Sequence, residues 1–158
     1  MPRGRELVGL PVVSLEAGEE LGRVHDLVWD VATYGLSGVV LTSNGLRKGP
    51  RFLKAKKIRN PGPQALTVDS SACLEDTVPG ESLRWREFKG RRVLDAGGRE
   101  LGLLEDVEVE WPSGRIVALE LSQGLVNDLL EGRRTIDAAG CFITWGPDVV
   151  ILHTGGGV

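Results

Sequence analysis

The sequence predicts an all-β protein made of two tandem small β-barrels, with a short helical insertion in the second. Three observations lead there. The string "EELGRVHDLVWD" (19–30) returns as "RELGLLEDVEVE" (99–110), and a chain that repeats itself is usually built from repeated modules. Apolar and polar residues alternate over short stretches, the period of a half-buried strand. Glycine is abundant: 22 of 158 residues, about twice the usual ~7%, which suits many tight turns between short strands.

The repeat holds position by position. At an offset of 80, Glu20-Leu21-Gly22 falls on Glu100-Leu101-Gly102, Val24 on Leu104, Asp26 on Asp106 and Leu27 on Val107. Leu36, Gly38, Val39 and Leu41 fall on Ile116, Ala118, Leu119 and Leu121, and "SNGL" (43–46) answers "SQGL" (122–125). A four-residue insertion then shifts the register before "NPGPQALTV" (60–68) meets "TWGPDVVIL" (144–152). Upstream, Gly9 and Val12 match Gly90 and Val93 at an offset of 81. Unit one spans 6–70, unit two 88–153, and the turn-rich 71–87 is expected to link them.

Each unit reads as strands. Leu27, Trp29 and Val31 alternate with Val28 and Asp30; Val107, Val109 and Trp111 alternate with Glu108 and Glu110, apolar side inward and charge outward. "TYG" (33–35) and "PSG" (112–114) turn the chain, and "LSGVVLTS" (36–43) and "RIVALELS" (115–122) return it as hairpins. "QALTVD" and "DVVILH" close each unit after Gly-Pro turns. So few short strands hide their edges best by curling into a barrel. The helix candidate is "LVNDLLEG" (125–132), with Leu125, Leu129 and Gly132 at helical spacing and a terminal Gly suited to a C-cap.

These residues resemble the PRC-barrel family. The resemblance lies in "LVGLPVVSLEAGEELGRVHDLVWD" and "FKGRRVLDAGGRELGLLEDVEVE". In each, a Gly and an apolar pair lead through a Gly-rich turn to Leu-Gly-x-apolar-x-Asp-apolar, a hairpin and a last apolar strand. Family resemblance implies a small barrel that packs against other macromolecules and does no chemistry. The family includes the cytoplasmic part of the reaction-centre H subunit, the C-terminal domain of the ribosome maturation factor, and short stand-alone bacterial and archaeal proteins. This chain lacks the membrane helix of the first and carries a second PRC-like unit where the maturation factor has a different domain. It is most similar to the stand-alone type.

Composition sets the class. An apolar content of 41% with 26% charged residues is that of a soluble globular protein. "MPRGREL" contains no apolar signal core, and no run approaches the ~18 residues of a membrane span. Cys73 and Cys141 form neither a disulfide framework nor a metal motif. A cytoplasmic protein without membrane insertion is expected. The net charge of −3 is uneven: residues 1–70 hold ten basic and seven acidic side chains, and 88–158 hold seven and eleven.

No catalytic, cofactor or metal site is expected. His25 and His153 neighbour no nucleophile in a recognisable arrangement, and His25 occupies the place of Glu105 in the repeat. Asp106, Glu108 and Glu110, echoed by Asp26 and Asp30, could chelate an ion weakly but read as a solvated strand face. "GGRELG" (97–102) leads into a strand, whereas phosphate-binding loops open a helix.

The candidate sites are for partners. "RKGPRFLKAKKIRN" (47–60) contains Arg47, Lys48, Arg51, Lys54, Lys56, Lys57 and Arg59 and no acid. The matching part of unit two lacks this charge, so the fold does not require it. It would contact phosphates with steep salt dependence, meet a partner protein, or balance the acidic second unit, within one chain or across a homodimer. Trp85, between Arg84 and Arg86, fits an interface hot spot or a seal between barrels. Val126, Leu129 and Leu130 fit a barrel plug or a patch for another chain. The preferred reading is a non-enzymatic adaptor that binds another protein; the alternative is an RNA- or ribosome-associated factor acting through 47–59. An enzyme or small-ligand binder ranks last, and a deep polar pocket with convergent ionisable groups would revive it.

Overall fold

In a computed structural model that describes residues 2–30, 35–42, 51–80, 82–124, 132 and 134–153, the chain is two strand-built units of one plan. Unit one contains β1 (Pro11–Ser14), β2 (Glu20–Asp30), β3 (Gly35–Thr42), β4 (Arg51–Lys54), β5 (Leu66–Val68) and β6 (Leu74–Glu75), in sheet order β5-β1-β2-β3-β4-β6. A further strand, β7 (Leu83–Arg84), pairs with β2. Unit two contains β8 (Arg92–Asp95), β9 (Glu100–Val109), β10 (Ile116–Ser122), β11 (Arg134–Asp137), β12 (Phe142–Trp145) and β13 (Val149–His153), in the order β11-β10-β9-β8-β13-β12. In both, the first strand lies parallel to the last apolar strand, with Val12 opposite Leu66 and Val93 opposite Val150. The repeat therefore extends to strand register.

The Leu-Gly step of each copy has a steric cause. Gly22 and Gly102 adopt φ of +153° and +146°. A Cβ there would lie 2.6 Å from the Thr42 carbonyl oxygen and 2.8 Å from that of Ser122. Only glycine lets the long strand bend this close to its hairpin partner.

Three residues on, a β-bulge interrupts each long strand. Val24 pairs with Leu41 and Asp26 with Val40, leaving His25 over; Leu104 pairs with Leu121 and Asp106 with Glu120, leaving Glu105 over. The extra residue resets the alternation. Val24, Leu27 and Trp29 face one core with Leu104, Val107 and Val109, while Asp26 and Val28 lie on the other side of the sheet. That core is continuous through both units.

Two short strands lie within 71–87, the segment expected as a linker. β6 pairs with β4 and β7 with β2, and a four-residue helix, α2 (Trp85–Phe88), follows directly. Its counterpart at the N-terminus is α1 (Gly4–Leu7). Residues 125–131, where the helical insertion was expected, lie outside the described residues, and Val126, Leu129 and Leu130 lie with them.

Candidate functional site

The two units exchange arms. Residues 2–8, which lead into β1, lie across β9 of unit two: Arg3 bridges to Glu108, and Pro2 O accepts from Val109 N at 2.9 Å. Residues 83–89, which lead into β8, lie across β2 of unit one, with Val28 opposite Arg84 and Trp29 opposite Leu83. These contacts are equivalent under the repeat. Between them Gly35 bridges antiparallel to Arg115, its own counterpart, and Leu36 N donates to Gly114 O at 2.6 Å. A bridge between equivalent residues marks a pseudo-two-fold axis.

A buried carboxylate receives each arm. Asp26 is 2% exposed; its Oδ1 accepts from Leu27 N at 2.8 Å and from Arg86 N, on the incoming arm, at 3.2 Å. Asp106 is 1% exposed; Oδ1 accepts from Val107 N at 2.8 Å, and Arg5 N lies 3.3 Å from both oxygens. Each aspartate thus satisfies a backbone donor in the first turn of the other arm's helix, as a capping side chain does. The solvated face expected for this row is corrected at these two positions: they are outward-facing, but the other unit's arm covers them.

The seats differ chemically. On unit two, Arg5 Nη1 donates to Glu120 at 3.0 Å and its Nε lies 3.7 Å from Asp106; Arg3 lies 3.7 Å from Glu108 and 3.8 Å from Glu120. Burial pushes the Asp106 carboxyl above the ordinary aspartate value, and nearby Glu120 adds to the rise. The Val107 and Arg5 amides and the Arg5 charge oppose it. On unit one the same outer face is hydrocarbon: Val28, Val40 and Phe52 form a buried cluster against which Val78 packs. Trp85 stands edge-on to Trp29, with centroids 6.3 Å apart and planes at 86°. At 5% exposure it is the seal between units, and its ring is not available to a partner as a hot spot.

Around the axis the arms leave a cleft of about 600 Å³. Its walls carry the bulged residues His25 and Glu105, the aspartates Asp26 and Asp106, and Trp85, Arg86 and Lys89 of the second arm. Arg86 approaches His25 twice, its Nε donating to the backbone oxygen at 3.3 Å and its Nη2 lying 3.4 Å from Nδ1.

Three cations of the basic run are paired with acids of their own unit. Arg51 lies 3.4 Å from Asp76, Lys54 3.7 Å from Glu75, and Arg59 holds Asp69 at 2.8 Å. These pairs form because β6 brings Glu75 and Asp76 alongside β4. Lys56 and Lys57 are exposed on a single 3-10 turn, Ala55–Lys57. Arg47 and Lys48 lie outside the described residues. Among the described residues no group of three or more His, Cys, Asp or Glu side chains is placed to hold a metal ion. None of their helices is long and apolar enough to cross a membrane.

The arms escaped the sequence reading although they carried a signal. "GRELVG" (4–9) lines up with "WREFKG" (85–90) at the offset already set by Gly9 and Gly90. The PRC-barrel domain model matches residues 2–72 and again 80–155, taking in both arms. The chain belongs to the PRC-barrel family. It is also similar to YrrD, an uncharacterized protein of Bacillus subtilis (strain 168), with 26% identity over 148 residues, 94% of this chain and 85% of that one.

Proposed function

We propose that this PRC-barrel chain is a non-enzymatic adaptor that binds another protein through the Lys56–Lys57 turn of unit one. The observation that supports a protein over RNA is the internal pairing of Arg51, Lys54 and Arg59 with Asp76, Glu75 and Asp69. A strip that tracks a phosphate backbone gains its affinity by displacing counterions from many phosphates at once. Cations already held by carboxylates contribute little to that, whereas two exposed lysines suffice for an acidic patch on a protein. The exposed Phe142, on β12 of unit two, adds an apolar contact for the same class of partner.

The test is a pull-down from the native cells with wild type and Lys56→Glu/Lys57→Glu, each with and without nuclease. A stoichiometric protein that survives nuclease and is lost with the charge reversal is the expected result. Recovery dominated by RNA and ribosomal proteins, abolished by nuclease, would assign the turn to the RNA-associated reading instead.

A further inference from the structure

The cleft at the pseudo-two-fold axis has matching walls of unequal charge. Its shape follows from the repeat, because each wall is a bulged long strand with an arm docked beside it. Its chemistry does not follow the repeat. The bulged residue is His25 on one wall and Glu105 on the other. One helical turn beyond the arm's arginine, the second arm carries Lys89 where the first carries Val8, and both line the space.

The arginines themselves are used differently. Arg5 turns to Glu120, at 3.0 Å, so its charge is spent on its own wall. Arg86 meets only imidazole and backbone oxygen among its side-chain contacts given above, and neither cancels its charge. The unit-one wall therefore sets the cations Arg86 and Lys89 and the His25 imidazole beside its buried Asp26. The unit-two wall sets Glu105 beside the equally buried Asp106, whose oxygens already receive the Val107 and Arg5 amides. Glu105 has interactions of its own within the protein, and its charge adds to that wall all the same.

From this we infer that the cleft binds a small zwitterion of amino-acid type, its anionic end on His25, Arg86 and Lys89 and its cationic end toward Glu105. A singly charged ligand would gain on one wall and be repelled by the other; a dipolar one gains on both. About 600 Å³ is within the range of small-molecule sites and holds an amino acid with room for its side chain. Neither Lys56 nor Lys57 lines the cleft, so this site is independent of the proposed partner surface.

The experiment is isothermal titration of the full chain with glycine, glutamate, lysine and phosphoethanolamine, and with the singly charged controls acetate and ethylamine. Two variants accompany it: Lys89→Val, which installs the residue of the equivalent position, and Glu105→Gln. At least one zwitterion is expected to bind saturably, with both controls about tenfold weaker or more. Each variant should weaken that zwitterion about tenfold, the usual worth of one charge-assisted hydrogen bond, while circular dichroism melting stays near wild type. Phosphoethanolamine outcompeting the carboxylates would make the anionic end a phosphate. Three results would overturn the inference: no zwitterion binds at millimolar concentration, acetate or ethylamine binds as well, or Lys89→Val and Glu105→Gln both leave affinity unchanged.

Discussion

The two arms perform the same docking on opposite surfaces. Arm one settles on acid: Arg3 and Arg5 reach Glu108, Glu120 and Asp106. Arm two settles on hydrocarbon: its strand runs beside Val28, which clusters with Val40 and Phe52 on the outer face, while Trp85 stands against Trp29 in the shared core. The backbone scheme is common to both, namely a glycine where strands touch, a bulge, and an aspartate that receives the arm's amide. The lesson is that the exchange is carried by backbone geometry and one buried carboxylate. What fills the space around it was free to differ.

Removing Trp85 should break the comparison hardest. Its counterpart on arm one is Gly4, so the first seat works without a side chain there while the second is filled by the largest one. Trp85→Ala is expected to cost roughly 3–5 kcal/mol in urea denaturation followed by far-UV circular dichroism, the usual price of deleting a buried tryptophan. The opposite change should hurt the opposite arm. A Cβ on Gly4 would lie 2.7 Å from Asp106 Oδ1 and 3.3 Å from Leu27, so Gly4→Ala should cost about 1–3 kcal/mol by overpacking. A neutral Trp85→Ala would mean that β7 pairing alone holds the second arm.

How much of this was written in the sequence depends on range. Strand pairings within a unit were legible because Leu27, Trp29, Val107 and Val109 alternate with their neighbours and the repeat checks each assignment twice. The arms were not, for two reasons. Helices of four residues are shorter than any periodic window, and the acceptor for Arg5 lies 101 residues away. Asp106 illustrates the consequence. Alternation correctly turned it away from the core, and only the other unit's arm makes that outer face an interior. The charges of 47–59 were equally plain, but the pairing of Lys54 with Glu75 needed β6, two residues in a stretch that reads as a linker.

The second difference to sharpen is titration at Asp106. Its carboxyl sits above the ordinary aspartate value of 3.8, chiefly through burial. The fold therefore disfavours the ionised form, so the stability this group contributes is full below the unfolded value and is lost as pH rises through the folded one. Between about pH 4 and neutrality, wild type should lose stability relative to Asp106→Asn, which has nothing to titrate there. Urea midpoints at stepped pH give the difference. The reverse slope would mean that Arg5 and the two amides outweigh desolvation, and that the acidic seat is a net attraction for its arm when fully ionised.

The smallest effect separates the arms by salt. Arg5 is about half exposed, with 45% of its side chain open to solvent, and its bond to Glu120 is a partly screened pair. Such pairs contribute about 1 kcal/mol or less, and the Debye length falls from about 10 Å at 0.1 M salt to about 3 Å at 1 M. Arg5→Ala should thus lower the urea midpoint in dilute buffer and lose most of that effect at high salt. Arg86→Ala removes contacts to an imidazole and a backbone oxygen and leaves the Arg86 amide on Asp26 in place. Its smaller effect should hardly respond to salt. If both variants showed the same salt slope, the second seat would be as electrostatic as the first, and the division into an acidic and a hydrocarbon seat would fail.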